Sequence, residues 1–150
     1  IYYRLGLFGN LALPELAEED AEGAMGNMSV LDQIEALRWI KANARAFGGD
    51  PDNITLFGES AGAISTCALM GAPAADELFH KSIVQSGNCS LFGVPGEPAM
   101  MTDPVAFSQD ISQELGCDDP ATRLECLRDI PAKDLSEAIA LTELLRTRYR

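Results

Sequence analysis

Asn53-Ile54-Thr55-Leu56-Phe57-Gly58-Glu59-Ser60-Ala61-Gly62 leads without a break into Ala63-Ile64-Ser65-Thr66-Cys67-Ala68-Leu69-Met70, and this stretch decides the fold. Its opening five residues are short, apolar and β-rich, which predicts a buried strand. Ala61 to Met70 carries little charge on any face and reads as a buried helix, stopped by Gly71 and Pro73. Between them Gly58-Glu59-Ser60-Ala61-Gly62 matches G-x-S-x-G, the pattern of a strand-to-helix turn that carries a nucleophilic serine. The spacing has a mechanical cause. The serine must take a strained backbone conformation for its hydroxyl to stand clear of the sheet, and neighbouring backbone then crowds the positions two before and two after it. Glycine at Gly58 and Gly62 avoids a Cβ clash there. The turn also leaves Ser60 at a helix N-terminus, where free N–H groups point outward, so the Ala61 N–H is the expected oxyanion donor.

Outward from this turn, Lys81-Ser82-Ile83-Val84-Gln85-Ser86 reads as the next strand, turned by Gly87. Strand, helix and strand with short links form a βαβ unit of a parallel sheet, so the fold class is α/β. Upstream, Ser29 is the expected N-cap of a long helix with apolar residues at Val30, Ile34, Leu37, Ile40, Ala44 and Phe47, and Gly48-Gly49 ends it. Ile1-Tyr2-Tyr3 reads as a strand. Arg4 to Gly26 is a long acidic connection, with packing expected near Leu11 to Leu16. Downstream, Gly87 to Asp103 is read as a loop, and helices are predicted over Pro104–Leu115, Pro120–Asp129 and Ala132–Ala140. The chain thus divides into a sheet core with the serine turn over 1–87 and a loop with a C-terminal helical segment over 88–150.

Composition narrows the function classes. The 150 residues carry 11 basic and 23 acidic side chains, a formal net charge of −12, which disfavours nucleic acid and anionic membranes as partners. No apolar run approaches the roughly 20 residues that span a bilayer. No Cys or His spacing points to a metal, and no cofactor is implied. The lack of an initiator Met and the immediate strand-like start suggest an internal segment, with any signal region outside it.

Several blocks together resemble the type B carboxylesterases, the cholinesterase-like family of the α/β-hydrolase superfamily. They are Phe47-Gly48-Gly49-Asp50-Pro51 followed by Asn53 to Gly62; Tyr3-Arg4-Leu5-Gly6-Leu7-Phe8-Gly9; Gly26-Asn27 with Leu31-Asp32-Gln33 and Ala36-Leu37-Arg38-Trp39-Ile40; Phe79-His80-Lys81; Gln85-Ser86-Gly87; and Cys126-Leu127-Arg128. The resemblance covers nearly the whole chain. It implies a partial α/β-hydrolase fold, mostly parallel strands flanked by helices, and a serine carboxylic-ester hydrolase acting through an acyl-enzyme on a small-molecule ester. Ser60 would be the nucleophile, with no membrane span in the chain.

A serine nucleophile needs a base and an orienting acid. The chain's one histidine, His80, precedes its strand, so a parallel sheet puts it at the edge opposite Ser60. Five strand residues cover about 17 Å, against the ~3 Å of a catalytic hydrogen bond. His80 is therefore read as a partly buried structural residue. The family order of serine, acid and histidine puts both partners beyond Arg150, so residues 1–150 alone are expected to be inactive. The resemblance makes Glu59 an electrostatic residue near that histidine, against a plain buried or salt-bridged carboxylate. Ser86 either joins Glu59 by a hydrogen bond or water, or is an ordinary strand-end serine. Arg4 and Asp32 match a structural ion pair of the family, and Cys117 and Cys126 match a family disulfide, which implies a secreted or periplasmic protein. Cys67 reads as a small core residue and Cys89 as a free thiol. Asn27, Asn53 and Asn88 open glycosylation sequons, of which Asn53 is disfavoured by the strand it begins. Because some relatives are adhesion proteins that resemble the enzymes, a non-catalytic binding protein is the alternative.

Overall fold

A computed structural model describes residues 1–89 and 103–137. In chain order these form α1 (Gly6–Asn10), α2 (Pro14–Glu19), α3 (Met28–Asn43), β1 (Thr55–Glu59), α4 (Ala61–Met70), β2 (Lys81–Gln85), α5 (Pro104–Glu114), α6 (Arg123–Asp129) and α7 (Ala132–Glu137). Two compact units result. Residues 1–3 and 30–99 form one, and residues 4–29 and 100–150 the other. Residues 4–29, read with the sheet on sequence, cluster with the C-terminal helices.

The first unit is built on the βαβ motif. Strands β1 and β2 pair in parallel, Thr55 with Lys81 through Glu59 with Gln85. Leu56 faces a core of Ile34, Leu37, Leu69 and Ala75. Burying a leucine such as Leu37 or Leu69 contributes about 1.5–3 kcal/mol. Buried Gln33 on α3 donates from Nε2 to the Ser65 hydroxyl on α4 at 3.4 Å. After α3 a 3-10 turn over Ala44–Phe47 ends at Gly48, whose φ of 78° and N–H bonds to Ala44 and Arg45 make the left-handed cap expected of a glycine. Trp39 stays exposed and lies against Phe47, ring centroids 5.8 Å apart.

Strand and helix differ from expectation in coverage. Strand β1 is covered on one face only: Phe57 is 70 % exposed and its pairing partner Ile83 is 50 % exposed. Likewise α4 buries Ala63, Thr66, Cys67 and Leu69 while Ile64 and Met70 face out. Ile1–Tyr3 forms no strand among the described residues. β-branched and aromatic composition favours extended backbone, but a strand exists only where a ladder partner does.

The second unit is helical. Residues 4–26 hold α1 and α2 rather than a structureless connection, and Leu13 is fully buried with Cys117 and Leu127. The Ala12 N–H donates to the Ser108 hydroxyl at 2.8 Å. Asp103 caps α5 by accepting from the Ala106 N–H at 2.9 Å, ahead of Pro104 at the first turn. Buried Arg123 pairs with Glu15 and donates to the carbonyls of Cys117 (3.3 Å) and Asp118 (2.9 Å). Ser29 does not act as the N-cap. It lies inside the first turn of α3, which starts at Met28, and its hydroxyl donates to Asn10 Oδ1 at 2.6 Å. Most of the expected 87–103 loop and the end of the expected 132–140 helix lie outside the described residues. No helix among the described residues is long and apolar enough to cross a membrane.

Candidate active site

Ser60 stands where β1 becomes α4, with φ 52° and ψ −115°. A residue with a Cβ holds such angles at a cost of order 1–3 kcal/mol and only where its surroundings over-determine them. Three contacts do so here. The Ser60 N–H donates to the Gln85 carbonyl at 3.0 Å, and the Ser60 carbonyl accepts from the N–H groups of Ala63 (3.0 Å) and Ile64 (3.1 Å). Gly58 lies so close to the Gly62 carbonyl that a Cβ would run into it. The expected crowding is absent at Gly62, where a Cβ would meet no atom of the described residues within 4 Å.

The resulting geometry is an exposed serine at the C-terminal edge of the sheet. Ala61 is the first residue of α4, where N–H groups have no acceptor within the helix. Its N–H and the Ser60 hydroxyl therefore leave the same turn, the arrangement that attack on a carbonyl and capture of the resulting oxyanion require. Glu59 is exposed and pairs with Gln85 in the ladder, so it sits on the same edge. Ser86 follows β2 as Ser60 follows β1, and it too has a φ of 52°. No hydrogen bond joins Glu59 to Ser86 among the described residues. Arg4 precedes α1 in the helical unit, while Asp32 lies on α3 in the sheet unit.

His80 holds the opposite edge. Its Nδ1 accepts from the Ile54 N–H at 3.1 Å, and its own N–H donates to the Ile54 carbonyl at 2.9 Å. It is exposed rather than partly buried, because β1 and β2 leave that edge open. Beside it, Lys81 Nζ donates to Asn53 Oδ1 at 2.6 Å, which engages that sequon's acceptor side chain.

The sequence-based expectation missed two features. Gly87 approaches α4 so closely that a Cβ there would lie 2.7 Å from the Ala63 Cβ and 3.2 Å from the Ser60 carbonyl oxygen. Its place after an apolar strand was the available signal. Cys67 and Cys89 form a disulfide, Cα–Cα 5.1 Å, so Cys89 is no free thiol and Cys67 no simple core residue. They are 22 positions apart, and only the return of β2 alongside α4 brings them together. Cys117 and Cys126 are also bonded, Cα–Cα 5.7 Å. The helical unit contains an apolar cavity of about 370 Å³, lined by residues including Leu11, Leu16, Ile111 and Leu124, and no serine, cysteine or histidine lines it among the described residues.

Residues 1–148 match the model of the Carboxylesterase family. The chain belongs to that family. It is 40% identical over 141 residues to Carboxylesterase 5A of Felis catus, covering 90% of this chain and 24% of that protein. It is 42% identical over 136 residues to Para-nitrobenzyl esterase of Bacillus subtilis (strain 168), covering 91% of this chain and 25% of that one. Among solved structures a thermophilic PNB esterase superposes with a TM-score of 0.76 at 34% identity, over 97% of this chain and 27% of that chain. The chain thus spans about a quarter of the length of these relatives. The two parallel strands with their flanking helices are part of an α/β-hydrolase fold.

Proposed function

We propose that the full-length protein is a serine carboxylic-ester hydrolase with Ser60 as its nucleophile. The observation that carries this reading is the strained backbone of Ser60 at the junction of β1 and α4, with Gly58 pressed against the turn. Family membership and the names of the relatives support ester chemistry. In this reaction Ser60 Oγ attacks the acyl carbon, the bond to the alcohol oxygen breaks, and water then releases the acid from the acyl-enzyme. The Ala61 N–H stabilises the oxyanion. The general base and its orienting acid come from outside residues 1–150, so this segment alone is inactive. Glu59 and Ser86 support the base from the same sheet edge. The two disulfides support a secreted or periplasmic location.

The test is a fluorophosphonate probe on the purified full-length protein. It labels Ser60, the Ser60→Ala variant takes no label, and both fold alike. Folded wild-type protein that takes no label at Ser60 refutes the catalytic reading and leaves the non-catalytic binding protein.

A further inference from the structure

The segment leaving β2 runs beside α4 and touches it at three successive points. The Gln85 carbonyl accepts the Ser60 N–H at 3.0 Å, Gly87 abuts Ala63, and Cys89 is bonded to Cys67. On the helix, residues 60, 63 and 67 share one face. On the segment, residues 85, 87 and 89 alternate by two. The result is a strip with the nucleophile at one end and a covalent bond at the other. Both strand ends in the strip, Ser60 and Ser86, hold a φ of 52° that a residue with a Cβ keeps only when its neighbours force it.

We propose that the Cys67–Cys89 disulfide is a positioning brace for the nucleophile: it holds the β2 exit against α4 and so keeps Ser60 in its strained, attack-ready conformation. The inference rests on the reading of Ser60 as the nucleophile. Neither cysteine touches substrate; both act through the Gln85–Ser60 hydrogen bond and the Gly87–Ala63 contact. Without the crosslink, the chain after Gln85 gains freedom to leave α4. The strained turn then relaxes in part of the population, and an attacking atom displaced by about 1 Å loses up to 100-fold in rate. The brace acts on the position of the attacking atom, so the loss falls on kcat rather than KM.

The test compares full-length wild type with the Cys67→Ala/Cys89→Ala double variant, using 4-nitrophenyl acetate turnover and the rate of fluorophosphonate labelling. The expected result is a folded variant with kcat about tenfold lower, KM within about twofold, and labelling of Ser60 slowed in parallel. Unchanged kcat and labelling rate, or a change in KM alone, overturns the brace. If the double variant does not fold, the wild type decides. Cys67 and Cys117 are both buried, while Cys89 is exposed and Cys126 half-buried, so mild native reduction is applied and samples are compared in which peptide mapping shows the first bond open and the second intact. Activity that falls on opening and returns on reoxidation supports the brace, and full activity with the bond open overturns it. The two proposals fail differently. A brace that fails leaves Ser60 labelled at the wild-type rate, whereas wild type unlabelled at Ser60 removes both.

Discussion

Replacing Ser60 with glycine should make the full-length protein more stable while abolishing its activity. Ser60 holds φ 52° and ψ −115°, angles that glycine takes freely and that cost a residue with a Cβ of order 1–3 kcal/mol. Glycine also gains freedom in the unfolded chain, which returns about 0.5–1 kcal/mol. The Ser60 side chain makes no hydrogen bond among the described residues, so its removal adds little. The net gain is therefore on the order of 1 kcal/mol. Ser60→Ala is the control, since alanine also lacks the hydroxyl but keeps the Cβ and its strain. Urea unfolding followed by far-UV circular dichroism should place the glycine variant's midpoint above that of alanine, with alanine near wild type. Neither variant should take the fluorophosphonate label. If glycine is no more stable than alanine, the turn stores no strain and the account of Ser60 as a forced conformation fails.

Arg123→Met should cost about 3–5 kcal/mol, because it leaves the Glu15 carboxylate half-enclosed without its partner; Glu15→Leu/Arg123→Met should recover most of that in thermal unfolding. The hydrogen bond from Arg128 holds the exposed Glu19 carboxyl below its ordinary value, and the same bond raises Arg128. Glu19 loses its proton more readily folded than unfolded, so its small stabilising contribution is present above the ordinary glutamate range and fades as pH falls through the lowered value. Arg128→Gln should return the Glu19 titration, followed by NMR, to the ordinary glutamate value.

Helix α4 was legible to the residue because punctuation fixes it: the turn glycine Gly58 sets its start and Gly71 its stop. Strand β1 was legible in type and displaced in extent, running from Thr55 to Glu59 rather than over Asn53–Phe57. Its length is set by the ladder to Lys81–Gln85, while Ile54 bonds to His80 and Asn53 to Lys81. A strand's ends belong to its partner, which its own composition does not contain. Ile1–Tyr3 shows the same limit in full. Ser29 read as a cap by type, and it was Asn10, 19 positions away, that claimed its hydroxyl. Glycine, serine and flanking pattern announced the strand-to-helix turn locally. The Cys67–Cys89 bond left no local trace, since its closure depends on the path of β2 after the sheet has formed.

The parallel pairing of β1 with β2 also bears on how the protein is made. Ile54 and His80, which bond at the foot of the ladder, are 26 positions apart, and the groups that bend Ser60 lie between them or at the end of β2. Closing so short a stretch of chain costs little entropy compared with pairing distant strands, and contacts of low sequence separation form fast. During synthesis the turn can therefore close soon after Cys89 leaves the ribosome. The strained turn at Ser60 is thus among the first elements to be set, and later contacts form against a backbone already bent.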